Sequence, residues 1–162
     1  MQKYVQALEA HYLKNSNPDK AVWMKKYMRD QFDYIGLASP VRKELKAEFI
    51  KANGKPRIED IEEFIKLCWQ SPYREMQYTG MDLTYSLHKQ FPKQIIDLFE
   101  ELITQKSWWD TIDYIAPSLA GSYFQKFPET KIEYASKWMN SKNLWLKRSS
   151  IIFQLKYKNE TD

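Results

Sequence analysis

Four serines that read as helix openers, Ser39, Ser71, Ser107 and Ser141, recur at intervals of 32, 36 and 34 residues. That period is the length of two helices and two turns, and nothing else in the chain restricts the fold as tightly. A helix pair of this size buries its apolar face only by stacking on neighbouring pairs, so the period predicts an α-helical solenoid. The competing architecture is an irregular helical bundle whose turns fall at even spacing.

Apolar spacing along the chain agrees with an all-α fold. Tyr4, Val5, Leu8 and Tyr12 predict a first helix, which Asn15-Ser16-Asn17-Pro18 stops. Asp19 is expected to cap a second helix carrying Val22, Trp23, Met24, Tyr27 and Met28. Ser39-Pro40 restarts a helix with Ser as N-cap and Pro at its first position, and Asn53-Gly54 ends it. Ile58, Ile61, Ile65 and Cys68 form the next apolar stripe, and Ser71-Pro72 opens a long helix expected to stop near Phe91-Pro92. Lys93 to Thr104 is helical again. Pro117 falls inside the helix that follows and predicts a kink or break. Ile132, Ala135, Trp138 and Met139 make a further stripe, and Ser141 or Asn143 opens a last helix through Ile151 and Leu155. No stretch reads as a strand, and with four glycines tight hairpins are poorly provided for.

At 162 residues the chain is expected to be one domain, residues 1–162, with a substantial core. A formal charge of +4 mildly favours an anionic partner. Cys68 is the single cysteine, which excludes an intramolecular disulfide and a thiolate metal cluster and places the residue in the core. His11 and His88 lack metal-ligand spacing and read as surface or packing residues. No window approaches membrane-spanning length, so a soluble, cytoplasmic protein without membrane contact is expected.

Chemistry concentrates in Lys106-Ser107-Trp108-Trp109-Asp110-Thr111-Ile112-Asp113. Ser107 with Asp110 three residues on resembles a capping box, which predicts a helix from Trp108. Trp108, Ile112, Ile115 and Leu119 then share a buried stripe, while Trp109 and Asp113, one turn apart, project together from another face. By spacing alone this pair is either a site or a packed aromatic beside a solvated carboxylate. Arg148 lies among Leu144, Ile151 and Leu155 on an otherwise apolar face, so it needs a partner, and Asp113 on the neighbouring repeat is the candidate. The repeat also sets the second helices of successive pairs side by side. Near their N-termini, which attract phosphate, lie Arg42, Lys43, Arg74, Lys106, Lys142, Lys147 and Arg148. Arg74 and Glu75 are open between an inter-repeat ion pair and a DNA contact.

The Trp-Trp-Asp segment, with Asn143-Leu144-Trp145-Leu146-Lys147-Arg148 and Phe153-Gln154-Leu155-Lys156-Tyr157-Lys158 after it, resembles the AlkD-like DNA alkylation repair family. Tyr27-Met28, Phe32 to Leu37, Ser39-Pro40-Val41-Arg42-Lys43, and Trp69 to Tyr78 match that family in order and spacing, so the likeness covers nearly the whole chain. The resemblance implies a HEAT-like helical-repeat solenoid acting as a DNA glycosylase on duplex DNA. Its substrates would be cationic N3- and N7-alkylated purines, and its setting a bacterial-type cytoplasm, in use at the nucleoid. Asp113 then matches the catalytic carboxylate, Trp109 the active-site tryptophan, Arg148 an arginine on the DNA backbone near the lesion, and Tyr27 an aromatic beside the site. Lys106, Lys147, Arg42 and Lys43 are the further DNA-binding candidates, and no metal or other cofactor is implied.

These residue types suit that reaction. An alkylated purine leaves as a neutral base without a general acid, and positive charge develops on the deoxyribose. A carboxylate about 4 Å from that charge, at an effective dielectric of about 20, supplies on the order of 4 kcal/mol, or roughly 10³ in rate if realised only in the transition state. The family continues through further repeats that supply a second active-site tryptophan. This chain is therefore expected to lack the family's C-terminal repeats and to expose an apolar face through Ile151, Ile152 and Leu155, available for self-association. The alternative function is a non-catalytic DNA-binding or protein-interaction module on the same scaffold; a purely structural solenoid is the third reading.

Overall fold

The helix starts keep a stricter period than the serines. In the computed structural model, which describes residues 1–161, the second helix of each pair opens at Ser39, Arg74, Trp109 and Leu144, thirty-five residues apart every time. The order is α1 (Gln2–Leu13), α2 (Pro18–Tyr27), α3 (Ser39–Asn53), α4 (Ile61–Gln70), α5 (Arg74–Tyr85), α6 (Ile95–Thr104) and α7 (Trp109–Tyr114). A π-helical segment Ile115–Ala120 follows, then α8 (Gly121–Lys126), α9 (Lys131–Met139) and α10 (Leu144–Ile152). Among the described residues no strand forms, and extended pairing is limited to one isolated bridge between Asp33 and Tyr73. The fold is an all-α helical repeat, and α2/α3, α4/α5, α6/α7 and α9/α10 are its pairs.

The serines prove to tie the links rather than cap the helices. Ser39 is already the first residue of α3, with Ala38 outside it. Ser71 donates to Glu9 at 2.6 Å and accepts from the Tyr73 N–H, and α5 begins three residues later. Ser107 donates back to the Ile103 carbonyl at 2.6 Å, so α7 starts at Trp109 with Trp108 at its N-cap position. Side-chain caps come from asparagines. Asn17, not Asp19, accepts from the Lys20 N–H at 3.0 Å to start α2, and Asn143 accepts from the Trp145 and Leu146 N–H groups to start α10. Asp19 sits inside the first turn, where its charge complements the helix dipole. The helix expected to reach Phe91 ends instead at Tyr85, and a short 3₁₀ turn over His88–Gln90 completes the link.

The chain forms two compact units, Met1–Leu83 and Thr84–Asp162. In the first, Leu8, Tyr12, Phe64, Ile65, Cys68 and Met76 are sealed from solvent. Tyr4 meets Phe49 and Phe64 edge to face, with ring centroids 5.1 and 6.0 Å apart. Each fully buried aliphatic or aromatic side chain contributes about 1.5–3 kcal/mol. Burial raises the Cys68 thiol far above its ordinary range. Arg74 and Glu75, both 0 % exposed, belong to this interior. The Glu75 carboxylate accepts from the backbone N–H groups of Ile35, Gly36 and Leu37 at 3.0, 2.9 and 3.1 Å. The Arg74 guanidinium lies 3.6 Å from the Phe32 ring centroid and donates to Gln77. Gly36 holds the loop they brace at φ +93°, where a Cβ would stand 2.0 Å from the Asn17 carbonyl oxygen.

In the second unit Ile112, Ile115 and Leu119 are fully buried, as the stripe on this segment predicts. Pro117 does not end the chain's helical path: α7 gives way to a π-helical segment whose wider turn accommodates a residue that lacks an N–H and crowds the preceding turn. Trp138 on α9 is fully buried, and its indole N–H donates to Glu100 on α6 at 2.8 Å. Helix α10 packs on α9, α6, α7 and the π-helical segment, which brings its exposed face beside α7.

Candidate functional site

Helix α7 is short, and its purpose is local. Trp109 opens it and Asp113 follows one turn on, both exposed, while Thr111 and Ile112 between them anchor the opposite side in the core. Trp108, expected in the buried stripe, is half-buried and packs against Trp145 of α10 at 5.9 Å between centroids. From α10 Arg148 reaches Asp113 in a two-pronged ion pair, Nε to Oδ1 at 2.7 Å and Nη2 to Oδ2 at 2.7 Å. Asp113 is thus the partner of Arg148, on a face where Leu144 and Ile151 are themselves exposed. The carboxylate raises the arginine's proton affinity further through that hydrogen bond. Side-chain exposures of 42 % for Arg148 and 36 % for Asp113 leave the pair open to solvent, so it is worth at most about 1 kcal/mol of stability. Trp109, 39 % exposed, presents a large aromatic surface to solvent on the same short helix.

The remaining site candidates fall into three groups. Lys106 precedes α7 at φ +49°, in the left-handed region, and is exposed; Lys147 is exposed beside Arg148 on α10. These two share the second unit with Asp113, Trp109 and Arg148. Lys43 is exposed on α3 in the first unit. Tyr27, the last residue of α2, joins Trp23, Met24, Met28, Tyr34 and Tyr78 around an apolar pocket of about 330 Å³ in that unit. The spacing of Trp23 and Tyr27, one turn apart on α2, is the sequence signal for this cluster.

Arg42 corrects the expectation of a DNA-facing cation. It is only 6 % exposed, pairs with Asp82 at 2.9 Å, donates to Thr79 and lies over the Tyr78 ring. Its charge is spent inside the first unit because position 42 falls on the same face of α3 as Leu45 and Phe49. Arg74, near another helix start, is buried likewise. His11 and His88 take packing positions, against Phe49 and Tyr85 respectively. Among the described residues no three His, Cys, Asp or Glu side chains are grouped to hold a metal ion, and no helix is long and apolar enough to cross a membrane.

The family model for DNA alkylation repair enzymes matches residues 8–162. The chain belongs to that family. No curated protein matches it. Among solved structures, a protein described as a predicted DNA alkylation repair enzyme from Enterococcus faecalis shares the fold with a TM-score of 0.81 at 26% sequence identity, over 91% of this chain and 68% of that one. A DNA alkylation repair enzyme of this family acts in DNA repair, and DNA is the partner that membership indicates.

Proposed function

We propose that this member of the DNA alkylation repair family is a glycosylase of base excision repair that hydrolyses the N-glycosidic bond of cationic N3- or N7-alkylated purines in duplex DNA. The observation that carries the reading is the exposed grouping of Trp109, Asp113 and Arg148, with the carboxylate gripped by both prongs of the guanidinium. Such a grip is also the way arginine takes a phosphate. A DNA phosphate near the lesion would compete for Arg148 and free Asp113 toward the deoxyribose. The carboxylate then stabilises the oxocarbenium charge and orients the attacking water, and the bond electrons leave on the already cationic base. Trp109 packs on the sugar or lesion and turns its negative π-face to the positive centre. Lys106 and Lys147 add backbone contacts in the same unit; Tyr27 and Lys43, in the other unit, are proposed for DNA contacts of their own. Arg42, buried in that unit, is not among them.

The same ion pair favours a second reading, a DNA-binding or protein-interaction module without catalysis, since a carboxylate held by Arg148 has its charge largely matched. Exposed Leu144 and Ile151 on α10, with Leu155 just beyond it, support self-association through that end of the unit. Release of free N7-methylguanine from methylated duplex DNA tests the enzyme reading. Salt-dependent DNA binding without release would select the module.

A further inference from the structure

The second unit holds two lysines whose ammonium groups are fixed by neutral partners. Lys156 donates to the buried Ser118 hydroxyl at 2.8 Å and stands 5.2 and 5.9 Å over the rings of Tyr85 and Tyr114. Lys126 donates to the carbonyls of Lys89 and Phe91, both at 2.9 Å, and lies over the Phe127 ring. Other cations ordered in this unit face carboxylates: Lys93 meets Glu129, Lys137 meets Glu100 and Arg148 meets Asp113. Lys126 and Lys156 are thus held in a set geometry by neutral groups. With three N–H donors each, Lys126 has one and Lys156 two to offer beyond these contacts.

Lys126 lines a pocket of about 400 Å³ together with Tyr85, His88, Lys89, Ser122 and Gln125. None of these lining residues is acidic. Tyr85 joins the two halves, since it lines the pocket, stacks on His88 at 4.9 Å and carries Lys156 over its ring. An ordered ammonium group, a second lysine, a hydroxyl and an amide around a concavity lined by no carboxylate fit a tetrahedral oxyanion better than a base or an apolar side chain. We propose that this pocket, with Lys156 held over the ring of its lining residue Tyr85, binds a backbone phosphate of duplex DNA. It would hold the strand by a contact separate from Arg148. The assignment to DNA rests on the DNA-repair reading above.

The test is the salt dependence of binding to an undamaged duplex, with the intact chain compared with a Lys89→Gln/Lys156→Gln double variant. A Lys89→Arg/Lys156→Arg variant keeps the charge, and Lys55→Gln, exposed in the other unit, removes a charge elsewhere. Loss of this one phosphate contact lowers the slope of log K against log salt by about 0.9 and weakens binding alike on every sequence. The expected result is that drop in the Gln double variant, a retained slope in the Arg variant and an unchanged slope in Lys55→Gln, all at native melting temperature. Tight DNA binding with an unaltered slope in the Gln double variant overturns the pocket and leaves the DNA reading standing. Equal losses in the double variant and Lys55→Gln, per charge removed, also overturn it. Absence of DNA binding by the unaltered chain at low salt defeats the DNA reading and with it the assignment of the phosphate to DNA. NMR shifts of His88 and Ser122 on adding inorganic phosphate would then assign the pocket to another phosphate source.

Discussion

Glu75→Gln separates the buried ionic groups of the first unit from the surface that meets DNA. In the folded protein Oε1 accepts from the Gly36 and Leu37 N–H groups, and Oε2 from Ile35. A glutamine can keep the double acceptor with its carbonyl oxygen, but its amide then confronts the Ile35 N–H, donor against donor. Leaving such a buried donor unsatisfied costs about 1–3 kcal/mol, and the two surviving bonds each lose about 1 kcal/mol when the acceptor loses its charge. The expected loss is about 3–5 kcal/mol. Urea denaturation would read it as a lower midpoint at unchanged slope, and a thermal melt as a fall of roughly 6–20 °C for a chain of this size. Because Glu75 is fully enclosed, the salt slope of DNA binding at temperatures where the variant is folded stays that of the unaltered protein. A loss below 1 kcal/mol, or a native-stability variant with an altered salt slope, would refute the reasoning.

Asp82 sets an acid limit on stability. Burial pushes its carboxyl up, but Arg42 and Lys46 outweigh burial and hold it below its ordinary value of 3.8. Its contribution is therefore complete above the unfolded value and is lost as pH falls through the lower folded one; Asp82→Asn should cost about 3 kcal/mol at pH 7 and progressively less below about pH 4. A pH-independent difference in denaturation midpoint between the two proteins would contradict this. The exposed Leu144 and Ile151 of α10, with Leu155 just after it, predict a concentration-dependent dimer in sedimentation equilibrium that Ile151→Glu abolishes. A monomer at all concentrations would remove self-association from the account.

Period and residue type carried most of the fold. Serines at the links expose the repeat in the sequence even though they do not cap the helices, because a link of fixed length needs a small hydroxyl to tie its own backbone: Ser71 binds Tyr73 and Glu9, and Ser107 binds Ile103. Asn17 reads as part of a breaker and takes a cap, whereas Asn143, one of the two residues expected to open the last helix, does cap it. The end of α5 at Tyr85 was hidden, since the apolar pattern runs on through Leu87 to Phe91 and the His88 ring, bonded to the Tyr85 carbonyl, ends the helix in its place. At the site, helical spacing puts Trp109 and Asp113 one turn apart, and the repeat makes Asp113 a candidate partner of Arg148, which the ion pair bears out. It could not separate Arg42 from Lys43, because adjacent cations at a helix start look alike until the helix is turned against its core. Lys156 was visible only as part of a motif; its neutral anchors, Ser118 and two tyrosines, come from elsewhere in the chain.

Single-turnover release of N7-methylguanine from a methylated duplex, measured for the unaltered chain and for Asp113→Asn, tests the central claim most directly. The exposed position of Asp113 predicts that the variant folds with a stability loss of at most about 1 kcal/mol. Its rate should fall by roughly 10³, from the loss of on the order of 4 kcal/mol of charge stabilisation in the transition state. Equal rates in the two proteins, or release by the unaltered chain no faster than spontaneous depurination, would contradict the proposed role of Asp113.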